Sequence, residues 1–346
     1  MMEVADRARA RLPEEQEFPA RGSFRDRCRF LLQYAILAPS TRNSQPWKFA
    51  LHDNGIDVYA DYTRRLRAAD PGNRELLMSM GAAIMNLRVA AARFRFACEV
   101  EYNHTGDSER PLAQVFLAGG TPGDEGLALL FPGLARRRTN RLPFLVSRVP
   151  STVQHRLLTA GEGYQSLMDI STDGGINGAV AELVAEADRR LLADPDYRRD
   201  IAEWMRPDGS ALLDGLPAAS EGKGGVIAAL APWATRVLDL RRTQAARDRN
   251  LCIEAPALIT IAGDDGIPGC LDAGELLEKL LLVIVREGLQ VSYFNMPVLV
   301  PDLRLKLRVI LGLSAMPHLL LRVGYCMEET PMTPRRPIEE VIIHQR

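Results

Sequence analysis

A chain of 346 residues, 47% of them apolar, exceeds one average domain and can bury a core without metals or disulfides. Its 43 basic and 44 acidic residues leave a net charge of −1, which excludes a global field for nucleic acid or an anionic membrane. Cys28, Cys98, Cys252, Cys270 and Cys326 include no short-spaced pair, against a zinc site, a redox dithiol or a disulfide framework. No apolar run reaches the roughly 18 residues that span a bilayer. Met1 to Arg11 mixes acids and bases without an apolar leader core, so a cytoplasmic protein is expected.

In chain order, residues 1–27 read as a charged arm. Phe30 to Ala38 has helical apolar spacing, and Pro39 stops it by disfavouring helical geometry at the preceding residue. Ser40 to Gln45 is a polar turn, and Trp47-Lys48-Phe49-Ala50-Leu51 alternates as a strand. Taken by itself the turn is an Asx/Ser-rich helix cap at a helix-to-sheet junction, a common place for ligands. A second strand is expected over Ile56 to Tyr62. A turn at Asp70-Pro71-Gly72-Asn73, with Asn73 as the cap, feeds a helix over Arg74 to Phe94. Gly81-Ala82-Ala83 in that helix predicts close packing on another helix. Strands follow near Cys98 to Tyr102 and Gln114 to Leu117, and the Gly/Pro stretch Gly119 to Gly133 separates a second unit.

That unit opens with Arg136-Arg137-Arg138-Thr139-Asn140-Arg141. It continues with a helix over Val180 to Leu192, a strand at Ala257 to Ala262, a helix over Ala273 to Glu287 and a strand at Leu319 to Val323. Residues 205–248 are Gly/Pro-rich and less regular; part of them is expected to be helical and part to form a lid. No G-x-S-x-G, H-E-x-x-H or G-x-G-x-x-G element occurs, and the five histidines are isolated, so each reads as structural.

The run Pro39-Ser40-Thr41-Arg42-Asn43-Ser44-Gln45-Pro46-Trp47 resembles the signature of the nitroreductase family of FMN-binding proteins. Asp70-Pro71, Arg74-Glu75-Leu76 and Gly81-Ala82-Ala83, together with Leu319 to Tyr325 and Thr333-Pro334-Arg335-Arg336-Pro337, resemble its long Acg subgroup, over most of residues 28–343. The resemblance implies an α+β fold of two homologous halves, a pseudo-dimer, each with a mixed, mainly antiparallel sheet flanked by helices. The halves would be residues 28–133 and 134–346, with the lid insertion at about 205–248 in the second.

It also implies a site shared between the halves. Pro39, Ser40, Thr41 and Asn43 would lie along the flavin and its ribityl chain, while Gln45, Pro46 and Trp47 lead back into the sheet. Arg137, Arg138, Thr139, Arg141, Arg335 and Arg336 would hold the phosphate, consistent with the bidentate fork of arginine. The main chain near Asn295 or Met296 would donate to the ring. Arg21-Gly22-Ser23-Phe24-Arg25 matches a phosphate element by letter but stands too close to Ala38, and it is set aside as coincidence. The second half has no second signature, so one FMN per chain is expected.

The implied activity is electron transfer from NAD(P)H to a nitroaromatic, quinone or other conjugated acceptor, with no catalytic side chain required. The alternative is a flavin-sequestering protein whose lid, with Trp204 or Trp233, covers the ring. Small molecules are the expected partners, for a monomer or a homodimer. Arg42 departs from a common histidine of the subgroup, and Asn295-Met296-Pro297 from a common Asn-Gln-Pro, which leaves the acceptor open.

Overall fold

The computed structural model of the protein describes residues 12–343 except 104, 106, 108, 121–122, 208–209 and 218–231. Helix α1 (Phe24–Ala35) begins where Ser23 Oγ accepts from the Asp26 amide at 3.1 Å and Asp26 accepts from the Ser23 amide at 2.9 Å. This reciprocal cap accounts for the serine of the Arg21 to Arg25 run without a ligand. The helix stops short of Ala38 because Leu37 and Ala38 tighten onto Tyr34 and Ala35 ahead of Pro39.

Two four-stranded antiparallel sheets form the framework. The first contains β1 (Trp47–His52), β2 (Gly55–Ala60), β3 (Phe96–Tyr102) and β4 (Ala113–Gly119), ordered β1-β2-β4-β3. The second contains β5 (Leu167–Ser171), β6 (Ala257–Gly263), β7 (Gln290–Tyr293) and β8 (Met316–Gly324), ordered β5-β6-β8-β7. Each sheet therefore places its first, second, fourth and third strands side by side. β5 escapes the sequence reading because Leu167 and Asp169 point to solvent, which blurs its apolar alternation.

Helix α2 (Arg74–Arg93) joins β2 to β3, and α6 (Ile267–Arg286) joins β6 to β7. They lie against each other at the centre of the core. A Cβ on Gly81 would stand 2.1 Å from the Leu271 carbonyl oxygen, and one on Gly274 would stand 2.1 Å from that of Met78. Only hydrogen fits at both positions, so the expected close helix packing at Gly81 is found. Around the crossing Met80, Ile84 and Leu87 meet Leu276, Leu280 and Ile284, all essentially without solvent exposure. α2 is by length and composition apolar enough to cross a bilayer, which the search for an apolar run overlooked; its apolar window is 94% buried within the protein.

The cap of α2 differs from expectation. Asn73 takes a left-handed conformation and makes no side-chain cap, and Asp70 Oδ2 instead accepts from the Leu76 amide at 3.0 Å. Asp70 wins because its carboxylate lies at the positive end of the helix.

β1 and β2 are joined by Asp53 and Asn54, but the corresponding link in the second sheet runs from residue 172 to 256. This excursion exceeds the expected 205–248 at both ends. It carries α3 (Gly174–Leu191), α4 (Pro195–Glu203), a parallel pair of Met205–Arg206 with Leu216–Pro217, and α5 (Arg241–Ile253). Part of the expected lid, residues 218–231, lies outside the described residues. α3 and α5 pack through Val180, Val184, Leu251 and Cys252. After β8 the chain returns to the first sheet, where the Ile343 amide donates to the Phe49 carbonyl at 2.8 Å.

Candidate functional site

The turn after α1 is held in an unusual backbone. Arg42, Asn43 and Gln45 have φ of 53°, 54° and 52°, a region that costs a side-chain-bearing residue free energy unless its surroundings enforce it. The enforcing bonds come from Asn43 and Gln45. Asn43 Nδ2 donates to the carbonyls of Gly215 and Pro334, both at 3.0 Å, and its Oδ1 accepts from Arg335 Nη1 at 3.0 Å. Gln45, with no solvent exposure, donates from Nε2 to the Leu213 carbonyl at 2.7 Å and accepts from the Arg336 amide at 2.8 Å. Its own amide donates to Ser40 Oγ at 2.9 Å. The turn is thus tied to the long excursion and to the C-terminal crossing at once.

The excursion grips back. The Gly215 amide donates to the Asn43 carbonyl at 3.1 Å, and Gly215 at φ 70° has no room for a Cβ, which would approach the Trp204 carbonyl to 2.7 Å. Next to it Asp214 is held by Arg64 and, at 2.8 Å, by Arg206. Those arginines hold the Asp214 carboxyl below the usual carboxylate range despite its burial.

Arg335 is 2% exposed and donates to five further acceptors: the carbonyls of Leu37, Ala38, Thr333 and Pro334, and Thr333 Oγ1. Burial, with Arg137 close by, lowers its pKa to about 9. Arg137 is engaged far less. Its Nη2 reaches the Leu37 carbonyl at 3.4 Å, and its Nε lies 3.6 Å from Glu278 Oε1, too far for a hydrogen bond. Glu278 on α6 has no exposure, and among the described residues the Asn86 side chain offers it only a weak interaction. Burial pushes it up to about 8, against the pull of Arg137 and Arg335. Arg138 donates to the carbonyls of Ala135 and Arg137, and burial next to Arg137 lowers its pKa.

Facing these, Asn295 Nδ2 donates to Glu75 Oε1 at 3.2 Å while its Oδ1 accepts from the Leu320 amide at 3.0 Å. Burial, with Asp70 nearby, raises the pKa of Glu75. Tyr293 keeps a hydroxyl without a partner among the described residues. Asn43, Glu75, Arg137, Arg138, Tyr293, Asn295 and Arg335 meet at one cavity of about 330 Å³.

Of the residues expected at the site, Pro39, Ser40, Thr41, Asn43, Arg137, Arg138, Thr139, Arg141, Asn295, Met296 and Arg335 line that cavity. Gln45 and Arg336 do not. Gln45 spends its carboxamide inside the fold, and Arg336 turns away to Glu340 Oε2 at 3.2 Å. Arg335 lines the wall, but both terminal nitrogens are committed to the chain. Trp204 and Trp233 do not cover the cavity: Trp204 lies between Arg64 and Arg206, and Trp233 is 57% exposed.

The sequence reading missed Glu75, Tyr293 and the wall contributed by the excursion: Asp188, Tyr197, Gln244, Arg247 and Asp248. Glu75 stood within the quoted Arg74-Glu75-Leu76 element, the one available signal. The excursion residues carry none, because only folding brings α3, α4 and α5 over the turn.

No protein-family profile matches the chain. It is 30% identical to the Acg protein of Mycobacterium tuberculosis (strain H37Rv), named provisionally as an NAD(P)H nitroreductase, over 90% of this chain and 93% of that one. A second protein of the same organism, under a similar provisional name, is 26% identical over 91% and 90%. Among solved structures, the FMN-dependent nitroreductase NfnB of Mycobacterium smegmatis in complex with NADPH matches with TM-score 0.41 and 17% identity, over 64% of this chain and 100% of that one. Iodotyrosine deiodinase bound to FMN and 3-iodo-L-tyrosine matches with TM-score 0.41 and 15% identity, over 60% and 95%. The chain belongs to the Acg family of nitroreductase-like proteins, with the α+β fold of two mainly antiparallel sheets flanked by helices.

Proposed function

We propose that the protein is an FMN-dependent oxidoreductase that takes electrons from NAD(P)H and passes them to a nitroaromatic, quinone or other conjugated acceptor. One observation carries the reading: a single cavity joins the Ser40–Thr41 turn of the first half to Arg137, Arg138, Arg141 and the Tyr293–Met296 segment of the second. A phosphorylated ribityl flavin needs a cationic end, short hydroxyls along its chain and a flat slot for its ring. The orphaned Nε of buried Arg137 and the loosely held Glu278 behind it fit the first need.

In this reading Arg137 and Arg141 hold the phosphate through charge-assisted bonds, and Arg138 and Thr139 complete that end. Ser40 and Thr41 take the ribityl hydroxyls, and the chain near Asn295 and Met296 meets the ring. When bound, the isoalloxazine supplies hydride transfer. Arg335 and Gln45 contribute by keeping the turn in its strained shape.

The same reading makes residues 28–133 and 134–346 homologous halves sharing one FMN site per chain. The repeated strand order and the reciprocal contacts of Gly81 and Gly274 support it. The turn before β5, residues 160–166, has no second Pro-Ser signature; Tyr164 there packs under Lys279, 5.0 Å from its ring centroid.

A second reading is favoured by the mutual Asn43–Gly215 bonds, which clasp the excursion onto the turn. Flavin would then be stored under a cover with little turnover. One experiment separates the two: load the protein with FMN and follow its visible spectrum under anaerobic NADPH or NADH. Rapid bleaching and reoxidation by a nitroaromatic support the oxidoreductase. A bound flavin unresponsive to either nucleotide supports storage, and no flavin binding defeats both.

A further inference from the structure

Asp188 on α3 and Asp248 on α5 lie on the cavity wall formed by the excursion, close enough for their carboxyl groups to interact. Two buried carboxylates so close repel each other when both are ionised, which favours one proton held by the pair. Asp188 is 4% exposed, and its Oδ2 has no partner among the described residues. A second cavity-lining residue, Arg322 on β8, also has an unmatched polar atom, its Nε; the residue is 1% exposed, with its guanidinium 4.0 Å from the Phe144 ring centroid and 5.5 Å from that of Phe294. Two buried, unsatisfied groups of opposite chemistry, a carboxyl and a guanidinium N–H, thus border the same space. They call for a ligand that both accepts a proton and accepts a hydrogen bond.

The pair is rigidly mounted. α3 and α5 share an apolar interface and the Arg249–Glu182 ion pair at 2.6 Å. Gln244 Nε2 donates to Asp248 Oδ2 at 2.8 Å. The charged and titratable groups facing the pair are Arg189 on α3, Arg247 on α5, Arg322 on β8 and Arg42 on the signature turn, with Tyr197 on α4 beside Arg42. Burial, reinforced by Asp248, raises Asp188 to about 8, so the pair keeps its proton at neutral pH.

We propose that the Asp188–Asp248 pair is the proton donor to the oxygen of a conjugated carbonyl acceptor, a quinone, bound between it and the flavin ring. This rests on the oxidoreductase reading above. A quinone that receives a hydride equivalent, ultimately from NAD(P)H, becomes a hydroquinone monoanion. It becomes neutral hydroquinone by taking one proton at that oxygen. The O–H bond of the pair breaks and the new ring O–H forms. Both aspartates are then ionised until solvent returns the proton, and Arg322 and Arg42 balance the charge in the interval.

The test compares the FMN-loaded wild type with D188N and D248N, using menadione as acceptor. Infrared difference spectra between pH 6 and pH 9 are expected to show, beside the band of Glu278, a second protonated-carboxyl band that disappears in D188N. The limiting rate with menadione is expected to fall about a hundredfold in D188N, the usual scale of general-acid catalysis, with the loss confined to the acceptor half-reaction. D248N, whose amide N–H would donate to Asp188 and favour its ionised form, is expected to fall comparably and to lose the wild-type dependence of the rate on pH. Turnover in D188N equal to wild type, or a carboxyl spectrum that is the same in wild type and both variants, overturns the proposal. Failure of the wild type to bind flavin overturns the functional reading, and the infrared band then still reports whether the pair holds a proton.

Discussion

Arg335 Nη1 donates to Asn43 Oδ1 across 3.0 Å, joining residues 292 positions apart and pinning the signature turn to the chain's last crossing. The bond gives the neighbouring arginines opposite roles: Arg335 is buried structure, whereas Arg336 faces Glu340 near the surface.

Arg335→Ala is therefore expected to unfold the protein more readily, by about 3 kcal/mol or more, because it strands several buried carbonyls at once. Arg335→Lys is expected to recover only part of this, since an ammonium cannot reproduce the planar fork. Arg336→Ala is expected to cost under about 1 kcal/mol, the range of a partly exposed ion pair. Urea midpoints of the three variants check the order.

Arg137→Ala is expected to leave the fold intact and to weaken FMN binding about ten- to a hundredfold, the loss of one charge-assisted bond of roughly 1.5 to 3 kcal/mol. Quenching of flavin fluorescence on titration measures it. Equal affinity in the variant would move the phosphate away from Arg137.

Glu278 and Asp188 make stability depend on pH. Both acids are raised to about 8, from 4.5 and 3.8, so between those values the native state holds more protons than the unfolded chain. Stability therefore falls as pH rises through that window. The flavin-free protein is expected to melt at a lower temperature at pH 8 than at pH 5.5, and Glu278→Gln is expected to flatten the slope. A melting temperature that climbs over this interval would contradict the protonation assigned to the two acids.

Gly81→Ala is expected to destabilise by about 3 kcal/mol, since the added methyl meets backbone on α6 that cannot rotate away. Gly178→Ala, on the outer part of α3 with nothing within 4 Å of the added carbon, is expected to be neutral or slightly stabilising. Thermal melts of the pair isolate the helix contact from the general effect of removing a glycine.

Much of the framework was legible in the sequence because it depends on local patterns. The alternation from Trp47 predicts β1, the apolar period after Arg74 predicts α2, and Pro39 breaks the turn away from α1. The Pro39 to Trp47 run carried the family, and with Arg137 to Arg141 it gave one part of the cavity wall. What the sequence could not decide is how side chains distribute their few hydrogen bonds. Adjacent arginines at 335 and 336 are equivalent as letters, and only packing commits one to buried carbonyls and the other to Glu340. Asp188 and Asp248 are sixty positions apart on separate helices and look like solvent-facing charge. The folded excursion alone sets them together over the cavity, because burial and a shared proton arise from tertiary contact, and no local spacing encodes either.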